Sequence, residues 1–176
     1  VMALNTPFEP VHLLFINLLT DSLPALAIGM EPSDKQLLRN KPRNPKSGIL
    51  TKSFSLRLLL YGFLIAVVTQ IAYYVGMDEK SMTASTMAFA TLTLARLFHG
   101  FTCRSEHSIF KLKLRSNRWS VAAFAAGAVL LALVLLVPVM QGMFMVENLS
   151  IAQISWVVLL AFLPTGLIQL ARVIKE

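Results

Sequence analysis

The sequence predicts an all-α, polytopic membrane protein of five transmembrane helices, on three observations. The first is composition: 56% of the 176 residues are hydrophobic and only 14% are charged, too apolar for an ordinary soluble domain of this length. The second is segmentation, because five apolar stretches long enough to span a bilayer, at 11–30, 54–76, 83–103, 119–141 and 150–172, are divided by polar turns. The third is charge placement. Of the 16 basic residues, all but Lys80 and Arg96 fall within 31–57, 104–118 or the C-terminal tail. The alternate turns, 77–82 and 142–149, set Lys80 alone against Asp78, Glu79 and Glu147. By the positive-inside rule the chain starts outside and ends in the cytoplasm. The net charge of +7 is therefore an orientation signal and a candidate lipid-headgroup contact, not a nucleic-acid footprint.

Residues 1–10 carry two prolines and read as an exoplasmic turn. The first span, VHLLFINLLTDSLPALAIGM, then reaches roughly 30 Å as a helix. Near its middle stand Asn17, Thr20 and Asp21, which spacings of three and four residues place on one helix face. A carboxylate at that depth costs about 2.5–3.5 kcal/mol on lenient insertion scales, which makes Asp21 the informative residue. Pro24 follows three residues later; it has no N–H for the carbonyl of Thr20, and its ring pushes that carbonyl aside. A carboxylate, an amide, a hydroxyl and a freed carbonyl in one turn are the mixed oxygen set that hard cations such as Ca2+ require. Irregular backbone at this depth is tolerated where it is buried or lines a cavity. The alternative is a proline-kinked helix whose polar side chains only bond neighbouring helices.

The stretches FEPVHLLFIN and NLLTDSLPALAIGMEP resemble the sixth transmembrane helix of calcium-transporting P-type ATPases, whose pattern there reads N-L-x-T-D-x-L-P-A. Downstream, RNKPRNPKSGIL resembles the basic cytoplasmic loop that follows in the same pumps, and the likeness continues more weakly to the C-terminus. Sodium and proton pump relatives tend to place Asp where this chain has Asn17. The resemblance implies that the whole of 1–176 is the C-terminal transmembrane portion, sixth to tenth helices, of a cation-transporting ATPase. It implies Asn17 and Asp21 as direct ligands of one transported Ca2+, with a glutamate and carbonyls of a fourth helix completing the shell. Thr20 matches a ligand of a second ion in relatives. Aspartyl phosphorylation by Mg-ATP in other domains, alternating access and proton counter-transport are implied with it. The partners are then the rest of the ATPase, with its other helices and phosphorylation domain, and the lipid bilayer; the location implied is a bacterial plasma membrane.

The loop 31–53, with Pro32, Pro42, Pro45 and Gly48, has no apolar periodicity. It reads either as a solvated basic loop or as an ordered strap anchored by Leu37, Leu38, Ile49 and Leu50, which the resemblance turns toward the phosphorylation domain. In the second span Tyr73 and Tyr74 fit an interfacial aromatic belt. The third span, TASTMAFATLTLARLFHGFTC, carries Arg96 deep enough to need a partner or to snorkel. Leu92, Thr93, His99 and Gly100 share its face. Relatives that carry two calcium ions have a Glu, in a stretch resembling TMAFATLTLAR, where this chain has Arg96. That reversal of sign implies a single site, with Arg96 as a countercharge.

The fourth span offers Ala122, Ala123, Ala126 and Gly127 for close helix contact, with Pro138 near its outer end; the fifth has a Pro164–Thr165–Gly166 break. The single Cys103 forms no intrachain disulfide, and the methionines show no metal-ligand spacing. There is no DKTGT phosphorylation motif and no glycine-rich phosphate loop, so the chain reads as opening partway through a longer protein and as lacking residues for ATP hydrolysis. Two rivals stay open. One is a channel or secondary cation transporter built on a broken helix, which an internal repeat would favour. The other is a membrane scaffold with a structural Asp21–Arg96 pair. Mn2+ stays open as an additional substrate, since oxygen ligands suit both ions.

Overall fold

The structure, a computed structural model, describes residues 7–31, 48, 50–77, 81–104 and 117–175, together with the backbone but not the side chains of Leu19, Thr20 and Lys175. The expected strap residues Leu37, Leu38 and Ile49, most of the basic loop residues, and Lys80 lie outside the described residues. Among the described residues all regular structure is helical: α1 (Pro10–Phe15), a π turn (Ile16–Thr20), α2 (Ser22–Gly29), α3 (Lys52–Met77), α4 (Ser81–Thr102), α5 (Arg118–Leu136), α6 (Pro138–Phe144) and α7 (Ile151–Lys175).

Helix starts follow their local chemistry. Glu9 caps α1 in a reciprocal box: its carboxylate accepts from the backbone N–H of His12, and its own N–H donates to His12 Nδ1 at 3.2 Å. Pro10 occupies the first helical position, where no N–H is needed. Asn117 caps α5 through its side-chain oxygen, which accepts from the N–H groups of Trp119 and Ser120. Pro138 opens α6, and Met145 closes it in the left-handed region at φ 51°.

Four helical stretches are long and apolar enough to cross a membrane: Pro10–Gly29, Lys52–Met77, Arg118–Leu136 and Ile151–Ile174. The additional long helix, α4, is the least lipid-like because it is the one the others surround. It packs against α3, α5 and α7, and Thr83, Ala84, Thr86, Met87, Ala88, Phe89, Ala90 and Thr91 are all buried. A helix walled by protein needs small residues for close approach more than it needs an apolar perimeter. Gly76 and Gly127 make that approach possible: a Cβ on Gly76 would stand 2.6 Å from the Ala84 Cα, and one on Gly127 would stand 2.6 Å from a Leu97 methyl.

Clusters of polar bonds lie at the two ends of the bundle. At one end His12, fully buried and stacked on Phe89 at 4.5 Å, donates from Nε2 to the Phe144 carbonyl at 2.7 Å. Beside it Ser85 donates to the Pro7 carbonyl, and Thr83 donates to the Glu147 carboxylate. At the other end Arg104 pairs with Glu31, and Arg172 donates to the Thr102 carbonyl at 3.1 Å, a cation on a helix C-terminus.

Four local expectations change. The fourth span does not run on to 141: α5 ends at Leu136, Val137 is extended, and α6 restarts at Pro138, which cannot donate into the preceding turn. The Pro164–Thr165–Gly166 stretch is no break, because α7 continues through it with Pro164 buried in the packed interior. Tyr73 is 3% exposed and packs with Ala84 and Ala88 rather than in an interfacial belt; Tyr74, whose ring meets that of Tyr73 edge-on at 6.1 Å, is exposed. Of the small residues on α5, Ala123 and Gly127 face inward, while Ala122 and Ala126 face out.

Candidate cation site

The stretch INLLTDSLP is too polar and too proline-interrupted to continue as a regular α-helix. After α1 the backbone widens into the π turn, where the Asp21 N–H reaches back five residues to the Ile16 carbonyl at 2.9 Å. Asp21 stands at the junction, φ −87° and ψ −38°, before α2 begins. Pro24 falls in the first turn of α2, where its missing N–H breaks no α-helical ladder of that segment. Above the junction Phe15 and Ile16 are buried and hold α1 to the core.

The wide turn alters which side chains share a face. Asp21 is turned toward α4, where its Oδ2 accepts from Nη2 of Arg96. Asn17, four residues earlier, is exposed and does not line the cavity that Asp21 enters. The Thr20 side chain lies outside the described residues. The structure thus brings together Asp21, Pro24 and Arg96, and leaves Asn17 apart.

These three residues line a cavity of 1050 Å³ between α2, α3, α4 and the end of α7. Leu92, His99 and Gly100, from the Arg96 face of α4, line it as the spacing of that helix implies; Thr93 is fully buried instead. Neither member of the ion pair is sealed off, with side chains 39% exposed for Arg96 and 32% for Asp21. An ion pair open to a cavity can exchange partners at low cost, whereas a sealed pair that loses one member leaves a stranded charge.

Sequence reasoning missed two features. One is the contribution of α3: Arg57, Tyr61 and Gln70 line the cavity, and the Tyr61 ring meets His99 edge-on at 5.5 Å. Arg57 and Tyr61 stand four residues apart, a spacing that marks one face. The other is the trio Glu31, Arg104 and Asn117 at the far end of α2. Asn117 directly before an apolar run was readable as a helix cap. No local pattern in the sequence joins it to Glu31, which lies 86 positions away.

Among the described residues no three His, Cys, Asp or Glu side chains converge, so a cation held here would draw further ligands from other oxygens. The family described as cation transporting ATPase, C-terminus, matches residues 5–174. The chain is 35% identical over 173 residues to a calcium-transporting ATPase of Bacillus subtilis, covering 96% of this chain and 19% of that protein. It is 30% identical over 190 residues to calcium-transporting ATPase 1 of Bacillus cereus, covering 97% of this chain and 21% of the relative. To the human calcium-transporting ATPase type 2C member 1 it is 30% identical over 179 residues, covering 100% of this chain and 19% of the relative. The chain thus spans about a fifth of the length of these relatives.

Proposed function

The chain belongs to the cation-transporting ATPases, as their C-terminal membrane portion, and from that premise we propose that it supplies part of a single Ca2+ site in an ATP-driven pump. The supporting observation is the pairing of Asp21 with Arg96 at the junction of a π turn and α2, beside an open cavity. In this reading Asp21 is the anionic ligand. Asn17 adds a neutral oxygen, Thr20 adds a hydroxyl, and Pro24 keeps carbonyls of the preceding turn free. The remaining ligands come from helices outside this chain, and Mg-ATP acts on cytoplasmic domains likewise outside it.

Arg96 holds the carboxylate while no cation is present. Cation entry exchanges one positive partner of Asp21 for another, so the site is never left as a bare buried anion. Residues 1–176 form one transmembrane domain in this view. Its N-terminus is exoplasmic and its C-terminus cytoplasmic, in a bacterial plasma membrane.

The test is Asp21→Asn in the full-length pump. Calcium-dependent phosphorylation by ATP is expected to be abolished, and wild-type calcium affinity in that variant overturns the assignment. Asn17→Ala should weaken affinity less, since it removes one neutral oxygen. The ion pair also suits the scaffold reading. That reading expects Asp21→Asn to lower thermal stability and leave calcium dependence unchanged.

A further inference from the structure

At the end of α2 farthest from Asp21, one side chain ties three helix ends together. Asn117 is 2% exposed and spends both faces of its amide. Its Oδ1 accepts from the N–H groups of Trp119, at 2.9 Å, and Ser120, at 3.2 Å, which caps α5. Its Nδ2 donates to the Ala27 carbonyl at 2.8 Å and to Glu31 Oε2 at 2.7 Å, so the start of α5 is fastened to the end of α2. Glu31 is gripped in turn by Arg104, just past α4, through Nε at 3.0 Å and Nη2 at 2.9 Å. The two-pronged geometry admits one orientation of each partner. Reversing the Asn117 amide would set donors against donors on one side and acceptors against acceptors on the other.

We propose that Asn117 is a positioning residue of the cation site. The proposal rests on reading Asp21 as a cation ligand, and it concerns how α2 is held. This helix has only eight residues, Ser22–Gly29, and forms one short rod of about 12 Å. At its upper end it joins a π turn, a single-turn irregularity of the kind that recurs at functional sites. The axial position of α2, and with it the depth of Asp21, is therefore set in part from the lower end. There the contacts run through Ala27 and Glu31 to Asn117 and Arg104. An error in that tether displaces Asp21 relative to Arg96 without touching either.

Two substitutions separate capping from tethering. Asn117→Ser and Asn117→Thr each keep a hydroxyl oxygen that can cap α5 but lose the amide donors to Ala27 and Glu31. In the intact pump, calcium-dependent phosphorylation by ATP is titrated for both variants, beside thermal unfolding of the detergent-solubilised protein. The expected result is a half-saturating Ca2+ concentration raised by about tenfold or more, as for other lost supports of metal ligands. Maximal phosphorylation should stay near wild type, while the unfolding midpoint falls only by what the lost bonds themselves are worth. Glu31→Gln, which leaves the cap intact and weakens the Arg104 grip, should shift the same parameter less, and it carries the test if neither Asn117 variant accumulates. Wild-type calcium dependence in the variants overturns the proposal. So does a fall in unfolding midpoint and maximal level at unchanged half-saturation, which is the signature of a merely structural residue. Asp21→Asn run in parallel tells the failures apart: calcium dependence retained there removes the site reading and this inference with it.

Discussion

Asp21 lines the cavity, but its nearest partner was set by backbone geometry that no residue spacing encodes. Helical spacing grouped Asn17, Thr20 and Asp21; the π turn instead sends Asp21 to Arg96 and leaves Asn17 exposed. A single residue outside the spans offers a pH-dependent check. The two-pronged bond from Arg104 holds the Glu31 carboxyl below its ordinary value of 4.5; desolvation opposes this, and the Asn117 amide reinforces it. A carboxyl whose folded pKa is depressed contributes stability that is present above its unfolded pKa and lost as pH falls through the folded one. The unfolding midpoint should therefore drop as pH is lowered from about 4.5, the unfolded value, and Glu31→Gln should flatten that part of the profile. An identical acid profile in the variant would show that the Glu31 node contributes nothing. Arg104 and Glu31 were legible only as a loop cation and a helix-end anion, because their meeting depends on how α4 ends against α2.

Helices were more legible than the contacts between them. Hydropathy is strong over four of the long segments, since lipid-facing surface must be apolar all along its length, and weaker over α4. The fourth span ended early at Pro138, and the fifth ran unbroken through Pro164. What hydropathy could not show is that α4 is the central helix, because its small and hydroxylated residues depress the very signal used to find spans. Gly76 tests this packing. Its missing Cβ would lie 2.6 Å from the Ala84 Cα and 2.9 Å from the Ala84 nitrogen, backbone atoms with no rotamer to yield. Gly76→Ala must therefore push α3 from α4, at about 1–3 kcal/mol by analogy with overpacked cores. Gly62, at an open position on the same helix, is the control: Gly62→Ala meets nothing within 4 Å. Thermal unfolding in detergent should show a lowered midpoint for the first and no loss for the second. Equal behaviour of the two would mean that α3 and α4 do not approach this closely.

At the scale of the whole molecule the question is how many cations a pump built on this chain moves per cycle. Two Ca2+ ions bring four positive charges, and a low-dielectric interior accepts them only with several carboxylates nearby. Asp21 is the one carboxylate well inside the apolar spans, and Arg96 is bonded directly to it beside the cavity. Arginine stays protonated under essentially any protein condition, so this charge cannot be titrated away to admit a second ion. With Asp21 balanced by Arg96 in the empty state, one divalent cation already exceeds the local negative charge, and ligands from other helices must compensate. The isolated 176-residue chain should accordingly bind Ca2+ no more tightly than about the 10⁻⁴–10⁻³ M of weak calcium modules, as read by calorimetry in detergent. Micromolar binding would mean that the site is self-contained. In the intact pump the decisive quantity is calcium bound per phosphorylatable site. One ion is expected in the unmodified protein, and Arg96→Glu, which exchanges a cation for an anion beside Asp21, should raise the ratio toward two. A ratio of two before any substitution would show that the guanidinium does not limit occupancy, and the countercharge role of Arg96 would be lost.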